Sequence, residues 1–221
     1  MAQAGMQGGT HMTRKVVFSL VLVVSLVAWG SALVTAQELL RPERNASGTL
    51  VNQDYYTVDH HQETLDLLRL VETAHFSQQM FENFRTGQYR GVLGDLKYVL
   101  VRIANHPGAL SMLGTTAILM KAPNIPIPFY EKALGLYPQY STTHALYGNF
   151  LTQIEHADKG IAHLREAIRL DPGLPSAHAW LAEAYFKQRK PDLAHQEAEK
   201  ARELGFPGDI QGEKGSGKSR G

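Results

Sequence analysis

The chain has 221 residues, enough for one or two domains at about 150 residues each. Lys plus Arg number 22 against 21 Asp plus Glu, so the strong basic excess of a nucleic-acid binder is missing. Hydrophobic residues make up 43% and charged residues 19%, which excludes a disordered polyelectrolyte. No cysteine is present, which excludes disulfides, thiolate metal sites, a Cys nucleophile and a lipid anchor on cysteine.

Residues 1–11 are polar and glycine-rich, and Met12-Thr13-Arg14-Lys15 has the form of an ordinary signal start, so 1–11 read as a tag remnant or a misplaced start. Arg14 and Lys15 precede residues 16–34, a run of 19 without a charge. As a helix it spans about 28 Å, against a bilayer hydrocarbon core of about 30 Å. Val34-Thr35-Ala36 before Gln37 offers a cleavage site. Residues 12–36 are therefore a signal peptide or a transmembrane anchor, and both readings stay open. Either one sends the chain after Gln37 to the non-cytoplasmic side, because Arg14 and Lys15 favour the cytoplasm. The protein is then membrane-anchored facing outward, or secreted or periplasmic if cut. Residues 37–56 contain Pro42, Gly48 and the glycosylation sequon Asn45-Ala46-Ser47, show no period, and read as a linker.

A 34-residue period organises the rest of the chain. Gly114, Gly148 and Ala182 fall in register, as do Ala133, Ala167 and Ala201, and Pro138 and Pro172. Each period carries two helical patterns, as in Ala157, Ile161, Leu164, Ala167 and Ile168. Small residues let the two helices cross closely. The prolines end the second helix, since proline cannot continue the hydrogen-bond ladder. Ser176 after Pro175 is the expected N-cap of the next helix.

These residues resemble the tetratricopeptide repeat family. The last unit matches best, through Trp180-Leu181-Ala182-Glu183-Ala184-Tyr185-Phe186, then Ala194 and Ala201. The family's usual Trp is His178 here and His144 one repeat earlier. The resemblance implies an all-α, right-handed helical-hairpin solenoid with three repeats over residues 107–207. In the first of them Pro126 occupies a small-residue place, so its second helix should start near Pro128 after an irregular loop at 122–127. A degenerate helix pair over 57–106 precedes them, with one long helix at 59–85, the stop Thr86-Gly87-Gln88 and a second helix at 89–104. Its turn is similar to the family's, while its length to Pro107 puts it off-register. Residues 208–221 are expected to be a flexible tail, and removal of residues 210–221 is expected to leave stability almost unchanged.

Gly212 to Ser219 satisfies the phosphate-loop pattern G-x-x-x-x-G-K-S, yet only Arg220 and Gly221 follow, so no helix N-terminus can cradle a phosphate. No nucleotide, nucleic acid or other cofactor is expected. His60 and His61 point about 100° apart on a helix. His144 and His178 recur one repeat apart with Leu110 in the third place, so the histidines read as fillers of large-residue slots and no metal site is assigned. No nucleophile elbow or paired-carboxylate constellation is present, so no catalytic residue and no enzyme activity are assigned.

The resemblance implies that the first helices line a concave groove for a protein or peptide partner. Stepping by 34 gives Ser111, Ala145 and Ala179; then Thr115, Asn149 and Glu183; then Leu119, Gln153 and Lys187, with Phe186 beside them. Thr115, Asn149, Gln153, Glu183, Phe186 and Lys187 are the candidate partner contacts. The expected function is a membrane-associated, extracytoplasmic scaffold that helps assemble an envelope complex. Two readings compete with it: a permanent subunit of a larger membrane complex, and a small-ligand or metal-handling module that uses the histidines. The topology is testable directly. Protease added from the non-cytoplasmic side should digest the chain after Gln37, and the mass of the mature N-terminus then separates cleavage after Ala36 from an intact anchor. Protection until lysis would refute the orientation.

Overall fold

The structure is a computed structural model that describes residues 43–213; the expected signal or anchor at 12–36 and the phosphate-loop pattern beyond Glu213 lie outside them. Among the described residues, a 3-10 helix at Tyr55–His60 precedes nine α-helices. They are α1 (Gln62–Ala74), α2 (Gln78–Arg85), α3 (Tyr89–Arg102), α4 (Pro107–Leu119), α5 (Ile127–Leu136), α6 (Ser141–Gln153), α7 (Ala157–Leu170), α8 (Pro175–Lys187) and α9 (Pro191–Glu203). Helix pairs α4/α5, α6/α7 and α8/α9 are the three expected repeats, and their first helices pack side by side. The all-α helical stack expected from the period is what forms. Among the described residues, no helix is long and apolar enough to cross a membrane.

One turn sets the repeat. Gly87, Lys121, Glu155 and Arg189 all adopt positive φ, at 80°, 55°, 67° and 57°. They are spaced by 34 residues. After each, the next N–H returns to a carbonyl five residues back: Gln88 to Asn83 at 2.8 Å, Ala122 to Ala117 at 2.8 Å, His156 to Leu151 at 3.0 Å, Lys190 to Tyr185 at 3.0 Å. This left-handed closure satisfies the orphan carbonyls of the first helix and folds the second back along it. The N-terminal pair is therefore in register, contrary to the expectation, and α3 lies two periods ahead of α7. Its expected long helix at 59–85 is instead the 3-10 turn, α1 and α2. The break falls at His75, Phe76 and Ser77. Ser77 Oγ caps α2 by accepting from Met80 N, while Phe76 turns inward against Phe81 and His106.

The helix starts follow from local chemistry. Pro107, Pro175 and Pro191 stand at first helical positions, where the missing N–H is no loss. Leu174 is the cap residue of α8 and Ser176 lies inside it, because Pro175 already supplies the helical φ; this corrects the expected Ser176 cap. His106 caps α4 with its ring, Nδ1 accepting from Ala109 N at 3.2 Å. Burial holds that imidazole down to about 4, so the ring keeps the acceptor nitrogen that the cap needs.

The tightest crossing joins α6 and α7. A Cβ on Gly148 would lie 2.8 Å from Gly160 O and 2.7 Å from Leu164 Cγ. A Cβ on Gly160 would lie 2.7 Å from Gly148 O and 2.5 Å from Thr152 Cγ2. The two backbones thus touch at reciprocal glycines. In the third repeat Ala182 and Ala194 take these places and are fully buried. In the first, Pro126 replaces the second small residue and α5 does not close on α4 in the same way. The space is filled by Tyr130, which is 1% exposed, donates its hydroxyl to Leu110 O at 2.9 Å and stacks on Tyr147 and Phe150.

Both ends differ from the expected linker and tail. Residues 43–56 are folded onto the helices: Asn52 N and Gln53 N donate to Val101 O and Arg102 O at 3.0 and 2.7 Å. Asp54 accepts from Asn105 Nδ2 at 2.7 Å and from Tyr140 OH at 2.6 Å. Residues 208–213 return over α8 and α9, and Ile210 is 6% exposed among Ala179, Ala182, Ala198 and Ala201. Their physical reason is the same, since a stack of hairpins leaves an apolar face open at each end.

Gly148→Ala tests the crossing. An exposed helical Gly→Ala gains up to about 1 kcal/mol. Here the methyl meets backbone, so a net loss of about 1–3 kcal/mol is expected. Urea unfolding reads it, and an unchanged or raised midpoint would show that α6 and α7 are not in backbone contact.

Candidate partner-binding groove

The first helices α4, α6 and α8 present their candidate residues in two separate settings. Thr115, Asn149 and Gln153 border one cleft between α4 and α6, with Gly114, Tyr130 and Phe150 beneath. The cleft holds about 30 Å³, room for one water and far below the several hundred Å³ of a small-molecule site. No histidine borders it. It is a shallow, open cleft rather than an enclosed cavity.

The polar groups around it are partly pre-arranged. Gln153 Nε2 donates to Asn149 Oδ1 at 3.0 Å, a pair that does not use the Asn149 amide nitrogen or the Gln153 carbonyl. Thr115 Oγ1 donates to Ser111 O at 3.2 Å within its own helix. Lys187, exposed on α8, reaches Thr152 O at 3.5 Å and brings a cation to the α6 side.

Glu183 and Phe186 have a different fate. Gln211 N donates to Glu183 Oε1 at 3.1 Å. Burial raises the Glu183 carboxyl above its usual range, with the Gln211 amide and Lys187 pulling the other way. Phe186 lies under Gly212, whose absent Cβ would fall 2.6 Å from Phe186 Cβ. Gly212 also adopts φ 92°, so glycine is required there twice over. The chain's own residues 210–213 thus cover two of the six candidate contacts. Of the row Ser111, Ala145 and Ala179, Ser111 borders the cleft and the two alanines do not. Ala145 and Ala179 are fully buried, Ala145 against Ala167 and Ala177, and serve helix packing.

The histidines in the Trp slot also find partners that stepping by 34 does not reveal. His144 and His178 do not face each other. Each reaches back to a loop carbonyl, Pro138 O at 3.0 Å and Pro172 O at 3.1 Å, and across to the second helix of its own repeat. The partners there are His163 and Glu197, at 3.1 and 2.6 Å. Nineteen residues separate the members of each pair, the hairpin distance rather than the repeat distance.

No sequence-family profile and no curated protein matches the chain. Solved structures do. TTC0263, a thermophilic TPR protein of Thermus thermophilus, is 18% identical, with a TM-score of 0.51 over 68% of this chain and 86% of that one. YrrB, described as a TPR protein with an unusual peptide-binding site, is 17% identical at TM-score 0.46 over 68% and 77%. MamA of Desulfovibrio magneticus RS-1 is 23% identical at TM-score 0.46 over 57% and 72%.

The C-terminal turn can be tested by two truncations. Removing residues 214–221 should leave the thermal midpoint unchanged. Removing 208–221 should lower it, because Ile210 loses its burial; a Leu- or Ile-sized side chain contributes about 1.5–3 kcal/mol. Equal midpoints for the two would show that the turn is not part of the fold.

Proposed function

Starting from the tetratricopeptide-repeat fold that these similarities share with the chain, we propose that the protein is a scaffold that binds a protein or peptide segment across α4, α6 and α8. In this reading the protein works at a membrane-associated, non-cytoplasmic location, reached through residues 12–36, and helps assemble an envelope complex there. The observation that supports it best is the polar strip of Thr115, Asn149, Gln153 and Lys187. These groups lie on three successive first helices, and the hydrophobic core does not need them. An extended segment laid across the strip finds donors and acceptors for its backbone and one cation for a carboxylate. Glu183 and Phe186, covered by residues 210–213, drop out of the contact set.

A photo-crosslinker at position 153 should capture the partner in native membranes, and one at Leu70 on α1, which is 58% exposed, should not. In a titration with that partner, Lys187→Ala should weaken binding about tenfold, because a hydrogen bond to a charged group contributes about 1.5–3 kcal/mol. Asn149→Ala should weaken it by less. Unfolding midpoints should be unaltered, since exposed substitutions shift stability by about 0.5 kcal/mol or less. Parent-like binding by both variants, with binding lost instead on substitution in α1 or α2, would move the working surface to the N-terminal pair.

A further inference from the structure

His144 on α6 and His163 on α7 place two ring nitrogens, Nδ1 and Nδ1, 3.1 Å apart. The tautomers follow from the neighbours. His144 Nε2 lies 3.0 Å from Pro138 O, and a carbonyl only accepts, so the Nε2 carries the proton. His144 Nδ1 therefore presents a lone pair to α7. Both rings are half-buried, and burial, with His144 beside it, lowers the basicity of His163. That favours the neutral form of the His163 ring, the form that ligates metals.

We infer that His144 and His163 form a two-nitrogen chelate for a divalent transition-metal cation from the copper-to-zinc end of the first row. Two imidazole nitrogens bound at about 2.0–2.1 Å to one tetrahedral ion stand about 3.3 Å apart, close to the separation present. Binding needs a proton shift and a tilt of the two rings, because the lone pair and N–H of a hydrogen-bonded pair lie along the N–N line. The proton that His163 Nδ1 donates to His144 moves to His163 Nε2, and the two lone pairs converge on the ion with no net proton release. The Pro138 carbonyl already holds His144 in the ligating tautomer, as outer partners do at metal-binding histidines. Glu166, one turn beyond His163 on α7, acts electrostatically on both rings and favours a cation, although its carboxylate is engaged by Arg169 at 2.7 and 2.8 Å. The Tyr147 ring packs on His163 with centroids 4.7 Å apart. Among the described residues, no cluster of three His, Cys, Asp or Glu side chains forms, so water completes the coordination and the affinity is micromolar rather than nanomolar. The corresponding pair in the third repeat, His178 with Glu197 at 2.6 Å, offers one nitrogen and one carboxylate joined by a proton, and sets the contrast.

Calorimetric titration of Cu2+ into the purified full chain at pH 7.5 tests the site, with the copper resonance spectrum read alongside. One micromolar event with a two-nitrogen signature is expected, weakened at least tenfold by His163→Gln and by a shift to pH 5.5. His163→Glu rebuilds the third-repeat pair, so it should keep the fold while losing the second nitrogen. The double variant His60→Ala with His61→Ala should retain the event. Binding that is unchanged in His163→Gln and His163→Glu, or lost in the His60 and His61 variant, would overturn the inference.

Discussion

Two helices of a hairpin can approach only as closely as the side chains at their crossing allow, and that limit governs this molecule from one repeat to the next. At α6 and α7 the limit is removed, because Gly148 and Gly160 set backbone against backbone. At α8 and α9, Ala182 and Ala194 add one methyl each. At α4 and α5 only Gly114 is small, Pro126 takes the second small-residue place, and Tyr130 fills the space beside Gly114. At α2 and α3 the same slots hold Met80 and Val92, both fully buried. The looser first repeat has a consequence at the surface between α4 and α6. The cleft under Thr115 and Asn149 is floored by Gly114, Tyr130 and Phe150, the groups that meet where α4, α5 and α6 are not drawn tight.

The period was legible wherever small residues mark the crossings, which is why the three repeats could be read from Gly114, Gly148, Ala182, Ala133, Ala167 and Ala201. It was not legible in the N-terminal pair, because Met80, Val92 and Val99 fill its crossing with ordinary core residues. Its turn was the better marker. Gly87 is the one glycine among four left-handed residues, and Lys121, Glu155 and Arg189 hold the same backbone shape without announcing it. Thr115, Asn149 and Gln153 were found because groove residues repeat with the helices that carry them. The covering of Glu183 and Phe186 was not legible, because residues 208–213 lie beyond the last repeat and carry no periodic pattern. A single apolar residue, Ile210, between Asp209 and Gln211 gives no pattern to read.

Polar long-range contacts were the least legible class. Asp54 joins Asn105 in the loop after α3 to Tyr140 in the loop after α5, more than fifty and more than eighty residues away. Tyr137 donates to Asn52 O from the same second loop. Burial and the nearby acidic groups push both tyrosine hydroxyls up to about 12, so they remain donors at any physiological pH. The next loop in register carries Asp171 and Leu174 at these places, so the latch ties residues 52–54 to the ends of the N-terminal pair and the first repeat and cannot recur after the second.

A stack of hairpins has two ends, and each must be closed by something other than another repeat. Here the chain closes both. Residues 50–60 and α1 cover the N-terminal side, where Leu50 and Val58 are buried, and residues 206–213 cover the C-terminal side through Ile210 and Phe206. The C-terminal cover also satisfies Glu183, which in the middle of the stack would stand open as Asn149 does. Capping therefore subtracts from the binding face at its last helix. What it leaves uncovered is the central strip from Thr115 to Gln153, with Lys187 at its border. The position of that strip follows from where the ends had to be sealed as much as from the residues that line it.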